Sequence, residues 1–463
     1  MKNKYNRKQI NETLLFIAMV LILLPIVGVS FFGIPGYVYT IEIGVAYLVQ
    51  TCILIYTFNE GLWRVRENLL AKTVLAVFIL SQIYICLLGL KNSVSPNVKE
   101  IINIFTLSIN GYIIILANNY SLNETKLLSF MRNFVDIAII ACIYNIMLHF
   151  GDILSVLSGT NKEYLQIDSF FTNRNLFGAF LVFSIIALLI AKDIQQLNRD
   201  NWVLCLFVFN LLLTMSRSAI GTFIIVVTVK YIYEIVSKEY TIKETVTKCS
   251  IELKYMIGGI ASVFFKRIFA GILILILLVA SISSERIVSD KSDKSLGENL
   301  IRAEDIGSVA GRTVIWKEGL KIWNTHRILG VGRFGAIERL HNSREDCKKF
   351  TQFHNAYIEV LASHGILGLM IYLFLFLWIL RKIYRSRMPI KQKGIFYAMY
   401  ISMGIQSLFE TRIRFSMGFV DTFSMFFLVV IPILYINNYS EKVEIQAKDR
   451  LSKDSERNEP TYS

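Results

Sequence analysis

Long apolar runs dominate the chain, and polar residues are gathered in the segments between them. Runs of about twenty residues match the hydrocarbon thickness of a bilayer and are longer than a buried core helix needs to be. Because backbone polar groups in lipid must be satisfied within the segment itself, these runs are predicted to be transmembrane helices. About twelve spans are predicted, at 13–32, 36–58, 70–90, 101–118, 130–151, 175–191, 201–215, 218–237, 267–284, 364–380, 394–411 and 418–436.

The stretch 202–237 allows two interpretations, one long helix or two short ones. A single helix of this length would be about 54 Å long, nearly twice the bilayer core. Counting it as one span would also place the basic cluster at 381–393 outside. We therefore predict two short spans joined by a tight turn at Ser216, Arg217 and Ser218.

Basic residues indicate the orientation of the spans. The basic N-terminus and the dense cluster at 381–393 both fall inside when the spans are counted, as the positive-inside rule requires. Both termini are then cytoplasmic. The first run exceeds a signal-peptide core and lacks a small-residue cleavage site, so it is predicted to be retained. The polar tail 437–463 is predicted to be disordered.

The predicted architecture is an all-α integral membrane protein with one large extracytoplasmic loop. Residues 1–284 hold spans one to nine with an outer loop at about 152–174, and 285–363 form the large outer loop. Residues 364–436 hold the last three spans. The composition agrees, since 54% of residues are hydrophobic and only 18% are charged. The net charge of +14 does not indicate nucleic-acid binding, because the basic residues form short clusters between spans rather than one face.

Cationic side chains are also predicted on the outer face, where short loops should carry few of them. Arg174, Arg217, Arg312 and His354 fall there. An arginine beside an apolar segment is costly, so it usually marks a pathway or a site. The alternative is an arginine that extends to the lipid headgroups.

The large outer loop carries three short motifs, and a fourth begins the span that follows it. Trp316, Leu320 and Trp323 lie at helical spacing, which predicts an amphipathic helix that packs or lies at the membrane interface. A glycine-rich turn follows, and glycines permit close backbone approach and unusual dihedral angles. The motifs are Arg312-x-x-x-Trp316, Gly330-x-Gly332-x-Phe334, His354-Asn355-x-Tyr357 and Gly365-x-x-Gly368.

The order of these motifs resembles the O-antigen ligase and polymerase superfamily. The segments around Arg174 and Arg217 resemble arginine-bearing segments that its members carry upstream. A proline that often precedes the glycine turn is replaced here by Arg327-Ile328. The resemblance implies a GT-C-like membrane glycosyltransferase that uses undecaprenyl-pyrophosphate-linked glycans as donors.

The chemistry of such a transfer assigns roles to these residues. Arginine binds phosphate oxygens in pairs and stays protonated, so Arg174, Arg217 and Arg312 are predicted to bind the donor pyrophosphate. A neutral histidine can accept a proton near physiological pH, so His354 is predicted to be the catalytic base, with His364 as a possible substitute. The supporting loop residues are Trp316, Gly330, Gly332, Asn355 and Tyr357.

Other polar residues receive simpler interpretations. Glu410, with Arg412 and Arg414, is predicted to form an ion-paired helix end or, alternatively, to contact sugar or phosphate. His149, His326 and His341 are interpreted as structural, and Phe353 and Tyr357 as packing residues rather than sugar platforms. With no zinc spacing and no outer Asp-x-Asp pair, no metal and no cofactor are predicted.

The resemblance therefore implies an enzyme in the bacterial cytoplasmic membrane with its active site on the outer face. The first interpretation is a capsule, O-antigen or exopolysaccharide polymerase that extends lipid-linked repeat units. The second is a ligase that delivers finished glycan to lipid A–core or another acceptor. A flippase and a chain-length regulator are the implied protein partners. A transporter of polysaccharide or lipid-linked oligosaccharide is the alternative of another class, although intramembrane charges are few and Lys230 is the clearest.

Overall fold

The computed structural model describes residues 124–157, 174–195, 201–237, 306–411 except 349 and 351, and 426–439, with isolated positions at 76–91 and 424. Every regular element in these ranges is a helix, and four helices are long and apolar enough to cross a membrane. The all-α membrane class is thereby confirmed for the described residues. The spans predicted at 13–32, 36–58, 101–118 and 267–284 lie outside them, so twelve spans and cytoplasmic termini stay predictions.

The chain divides into two compact units, 131–309 and the remainder. Helix α1 (Glu124–Leu148) crosses this division, and the first unit continues with α2 (Phe150–Leu157), α3 (Arg174–Gln195), α4 (Asn201–Leu213) and α5 (Arg217–Val236).

Within this unit, α4 and α5 both pack against α3. The centre of α3 is buried all round, as its phenylalanines Phe177, Phe180 and Phe183 show. A buried amide pair adds a polar link, since Asn145 Nδ2 donates to Asn210 Oδ1 at 2.8 Å and joins α1 to α4. A helix that is apolar on all sides is expected in the interior of a membrane bundle.

The stretch 202–237 forms two helices, which confirms the prediction of a break. The turn occupies 214–216, two residues earlier than predicted, and Met215 takes a left-handed φ of 48° there. Lys230 is buried and its Nζ lies 2.7 Å from Glu234 Oε1, so this intramembrane cation has an adjacent carboxylate one turn along the same helix.

The second unit holds the described part of the large loop and the helices that follow it. Its elements are α6 (Ile306–Thr325), α7 (Arg333–Ser343), a 3₁₀ turn (Glu345–Cys347), α8 (Ala356–Arg385), α9 (Ile390–Gln406) and a final helix (Phe427–Tyr439). Thus the predicted loop is largely helical from 306 onward, and α8 begins eight residues before the predicted span at 364–380.

The helix predicted around Trp316 is present, and residues beside its predicted stripe face the core. The placement of that stripe at the membrane interface stays a prediction. Ile315, Gly319 and Ile322 face the core, while Leu320 is 41% exposed. A β-carbon on Gly319 would lie 2.6 Å from Ile358 Cγ2, so the helix can approach α8 closely only with glycine at this position. Since adjacent helical residues point about 100° apart, a shift by one position turns the buried stripe away from the two tryptophans.

Helix α8 is broken at Gly365, and the glycine turn forms hydrogen bonds with the backbone groups that the break leaves free. Gly365 has φ 65° and ψ −170°, which interrupts the helical hydrogen bonds. The freed amides of Ile366 and Leu367 donate to the carbonyl oxygens of Arg327 and Ile328 at 2.8 and 3.2 Å.

On the other side of the break, the amides of Val331 and Gly332 donate to the carbonyls of Ala362 and Ser363 at 3.1 and 2.9 Å. Gly330, at φ 68°, approaches so closely that a β-carbon would lie 2.5 Å from the His364 amide nitrogen. The prediction of unusual glycine dihedrals in this turn is confirmed. Its consequence is that segment 327–332 satisfies backbone groups on both sides of the break, which a membrane protein cannot leave unpaired.

Candidate active site

His354 stands at the start of α8 in a strained backbone conformation. Its φ is 51°, a left-handed value that costs a residue with a β-carbon of order 1–3 kcal/mol and persists only where neighbouring contacts impose it. The preceding residue, Phe353, is held by hydrogen bonds through both its amide and its carbonyl. The Phe353 amide donates to Glu359 Oε2 at 3.2 Å, and Trp316 Nε1 donates to the Phe353 carbonyl at 3.0 Å.

The segment that follows His354 is tied to the C-terminal end of α9. Asn355 caps α8 because its Oδ1 accepts from the Ile358 amide at 3.1 Å, while its Nδ2 donates to the Leu408 carbonyl at 3.0 Å. The Tyr357 hydroxyl donates to the Gly404 carbonyl at 2.9 Å. The motif residues Asn355 and Tyr357 therefore act as structural ties, and Phe353 is fully buried, as its packing interpretation requires.

Glu410 lies between His354 and Arg312. Its side chain is only 4% exposed, and its two oxygens face different partners: Oε2 lies 3.7 Å from His354 Nδ1, and Oε1 lies 3.7 Å from Arg312 Nη2. Arg312 is further fixed by a hydrogen bond of 3.1 Å from Nη1 to the Phe409 carbonyl. A buried carboxylate needs polar or cationic partners, and the Arg312 guanidinium, which is bonded to the Phe409 carbonyl, supplies one beside Glu410.

A second polar pair faces the same nitrogen of His354. Gln352 Nε2 lies 3.2 Å from His354 Nδ1, and the Thr411 hydroxyl donates to Gln352 Oε1 at 2.6 Å. Because a hydroxyl can both donate and accept, the Gln352 amide can present either its nitrogen or its oxygen to the ring. With the oxygen presented, Nδ1 carries the proton and Nε2 is left as the basic nitrogen. His354 is 23% exposed, which leaves the ring accessible to a substrate.

Arg174 and Arg217 begin two helices whose first turns are in contact. Arg174 is the first residue of α3 and Arg217 the first of α5. Ser216 Oγ donates to Asn175 Oδ1 at 2.8 Å, and a β-carbon on Gly178 would lie 2.7 Å from Ala219 Cβ. Two helix N-termini, each with an arginine, make a strongly positive end suited to an anion.

The structure therefore groups the predicted residues in two places. Arg312 and His354 share Glu410 in the second unit, and Arg174 and Arg217 share one end of the first unit. Glu410 was predicted to be an ion-paired helix end; it is ion-paired, but with the two motif residues. The sequence spacing could not predict that Arg312 would bond to the Phe409 carbonyl and thereby face Glu410. Arg412 and Arg414 lie outside the described residues.

The remaining histidines do not join this cluster. The His364 ring packs edge-on against Tyr372, with centroids 5.7 Å apart, about 12 Å along the helix from Ala356. His341 lies 2.7 Å from the Phe350 carbonyl, and His326 contacts Arg339 and Thr325. Partial burial, together with the Arg339 guanidinium, lowers the pKa of His326. These contacts support structural interpretations for His326 and His341 and argue against His364 as the substitute base.

Among the described residues, no group of three His, Cys, Asp or Glu side chains could hold a metal ion. The described part of the second unit brings together an acid–base histidine, a buried carboxylate and a partly exposed guanidinium. This set suits proton transfer beside an anionic leaving group.

Comparison with known proteins agrees with the motif order. No curated protein matches the chain. Residues 202–373 match the family model described as O-antigen ligase, and this range includes Arg217, Arg312 and His354. The chain thus carries the domain of the O-antigen ligase and polymerase superfamily, whose members are membrane glycosyltransferase-like enzymes.

Proposed function

We propose that this protein is a polysaccharide polymerase at the outer face of the bacterial cytoplasmic membrane. It transfers a glycan from undecaprenyl pyrophosphate to a sugar hydroxyl of a newly arrived lipid-linked repeat unit. The family match supports ligase- or polymerase-type activity in general. The observation that carries the proposal further is the Glu410 carboxylate shared by His354 and Arg312.

In the proposed reaction, His354 Nε2 accepts the proton of the acceptor hydroxyl as its oxygen attacks the anomeric carbon of the donor sugar. The bond from that carbon to the pyrophosphate oxygen breaks, and the electron pair leaves with undecaprenyl pyrophosphate. Glu410 stabilises the imidazolium that forms, since the carboxylate lies 3.7 Å from Nδ1. Gln352 and Glu410, which both face Nδ1, hold the ring in one orientation, and this reduces the reorganisation needed for proton transfer.

Arginine residues hold the charge of the leaving group in this proposal. Arg312 Nη1 donates to the Phe409 carbonyl, and Nη2 faces Glu410. Because the guanidinium has five N–H groups, some of them remain to donate to phosphate oxygens. Its side chain is 30% exposed. Arg174 and Arg217 are proposed to bind the pyrophosphate as well, on the strength of the helix N-termini they begin.

A ligase is the second candidate, because the matched family is described as O-antigen ligase. Both activities use the same bond changes and differ only in the acceptor. The acceptor of a polymerase is a lipid-linked repeat unit, whereas that of a ligase is lipid A–core or another final carrier.

A glycan ladder separates the two candidates. The gene is deleted in its host and complemented with the wild-type gene, and the lipid-linked and surface glycans are resolved by size. Single repeat units in the deletion strain, with long chains restored by the gene, are the expected result. Full-length chains that stay on undecaprenyl pyrophosphate in the deletion strain would instead identify a ligase.

The proposed mechanism needs no metal, because arginine offsets the donor charge. Activity in membranes is therefore expected to be unchanged by EDTA. Loss of activity on chelation, with recovery when a divalent ion is added back, would contradict this part of the proposal.

A further inference from the structure

The turn 326–330, which is hydrogen-bonded to the break in α8, exposes two large apolar side chains. Ile328 is 66% exposed and Leu329 is 41% exposed, although both belong to a loop predicted to lie in water outside the membrane. Transfer of such side chains from water to hydrocarbon is favourable, so leaving both in water is unfavourable.

These side chains adjoin the apolar face of a membrane-spanning helix. Below the break, α8 exposes large hydrophobic residues at helical spacing, a pattern expected of a lipid-facing surface. The exposed residues of this face are Ile366, Leu367, Met370, Leu373, Phe374 and Leu377. Because Leu367 N donates to Ile328 O and Ile366 N to Arg327 O, the turn lies directly against the upper end of this face.

The depth of the break can be estimated from the inner end of α8. The basic cluster begins at Arg381, sixteen residues after Gly365, which corresponds to about 24 Å of helix. The hydrocarbon core is about 30 Å thick, so the break lies about 6 Å below its outer boundary, and helix tilt would place it deeper. A turn bonded to that break is therefore within reach of acyl chains.

The backbone and its neighbours suit this depth. Unpaired backbone polar groups are costly in hydrocarbon, so the backbone of a turn near its outer boundary needs partners within the protein. Here the amides freed at the break are paired with 327 and 328, and the Gly330 amide donates to the His326 carbonyl at 3.0 Å. At the upper edge, Trp323 Nε1 donates to the Arg327 carbonyl, and indole rings favour the interface between lipid and water.

We propose that the turn 326–330 is a membrane-insertion element whose Ile328 and Leu329 side chains contact lipid acyl chains of the outer leaflet. Through the amides of Val331 and Gly332, which follow the turn directly, it is bonded to the helix that begins two residues after His354. Insertion would hold the histidine-bearing loop at the level of the headgroups. The occupant is lipid rather than a second protein, because Ile328 and Leu329 adjoin the exposed apolar face of α8, while Arg327 is bonded to Asn324 on the side of Trp323.

Site-specific photo-crosslinking tests this directly. A diazirine amino acid replaces Ile328 in the full-length protein, in vesicles of phosphatidylethanolamine and phosphatidylglycerol, and adducts are identified by mass spectrometry after irradiation. The same residue at Met370 reports contact with lipid on the stripe, and at Asn342, an exposed polar position on α7, it reports the aqueous loop surface.

The expected result is a phospholipid adduct at 328 that matches 370 in yield and exceeds 342 several-fold. Labelling at 328 no greater than at 342, or a protein adduct in place of the lipid adduct, would overturn the proposal. Leu329 provides a second position with the same expectation should the first substitution prevent folding. Because the readout is an adduct and not activity, its failure is distinguishable from failure of the proposed glycosyl transfer.

Discussion

The two groups of cationic residues differ in how their charge is held. At the end of the first unit, Arg174 and Arg217 begin helices whose close packing depends on small residues, Gly178 and Ala219. In the second unit, Arg312 and His354 both face one buried carboxylate, Glu410. The first arrangement offers a positive potential to an anion, whereas the second couples a charge to a proton acceptor. Under the proposed roles, donor binding by Arg174 and Arg217 and proton transfer by His354 depend on different surroundings, which variants can separate.

The largest effect is expected for the proton acceptor. His354→Ala should abolish chain extension while expression and membrane insertion persist, because no other described histidine shares its contacts. The glycan ladder of the complemented deletion strain measures this. His326→Ala is the matched control, since His326 is an exposed histidine of the same loop that lies outside the cluster. Long chains made by the His354 variant would remove the proposed base.

Replacing Arg312 should have the next largest effect. Arg312→Lys keeps the positive charge but loses the planar set of donors, so we expect the rate to fall about a hundredfold, as for loss of one transition-state donor. Single-turnover transfer from a lipid-linked donor measures it. Arg339→Lys, in the same loop, should be near wild type. An Arg312→Lys rate equal to that of the control would show that this arginine is structural.

Replacing an arginine of the pair Arg174 and Arg217 is expected to change KM for the donor more than kcat. Arg217→Ala is expected to raise KM for the donor about tenfold with a smaller change in kcat, since a charge-assisted hydrogen bond contributes about 1.5–3 kcal/mol. Lys192→Ala, which removes a cation near the opposite end of α3, is the control. A pure loss of kcat in the Arg217 variant would place this arginine with the transition state and would erase the distinction between the two groups.

Neutralising Glu410, the carboxylate that Arg312 and His354 share, should affect kcat without affecting KM for the donor. Glu410→Gln preserves shape but removes the charge that favours imidazolium, so kcat should fall about tenfold with KM for the donor unchanged. Glu345→Gln provides an exposed control, because the Glu345 carboxylate pairs with Lys348 three residues along the chain. Equal changes in KM and kcat would argue that Glu410 positions Arg312 rather than His354.

The smallest effect is expected for Trp316, whose indole N–H bonds to the residue that precedes His354. Trp316→Phe keeps an aromatic ring but removes the indole N–H that holds the Phe353 carbonyl. A lost hydrogen bond of about 0.5–1.5 kcal/mol predicts a decrease of a few-fold in kcat. Trp323→Phe removes an indole bond to Arg327 instead and should leave kcat unchanged. A similar decrease in both variants would indicate general destabilisation of α6.

Sequence patterns predict those parts of the protein that depend on local spacing. The break between α4 and α5 follows from helix length against bilayer thickness, and the glycine turn follows from residue type. The buried face of α6 could not be predicted in this way. Gly319 packs against Ile358, and no periodicity reveals which stripe meets a distant helix.

The candidate site shows the same division. His354 and Arg312 are recognisable because they occupy ordered motifs within one loop. Glu410 lies 56 positions after His354, just beyond the end of another helix, and long-range hydrogen bonds such as those from Asn355 to Leu408 and from Arg312 to Phe409 bring it into place. Long-range hydrogen bonds of this kind depend on tertiary packing, so the carboxylate could be named from the sequence but not joined to its partners.

Transfer by the purified protein, in vesicles supplied with lipid-linked repeat units alone, distinguishes a glycosyltransferase from a transporter. Chains are expected to lengthen, and one undecaprenyl pyrophosphate is expected to be released for each bond formed, with no ATP and no ion gradient. Vesicles with His354→Ala are expected to do neither. Movement of intact lipid-linked units across the vesicle membrane, without release of the pyrophosphate carrier, would contradict the account and favour a transporter.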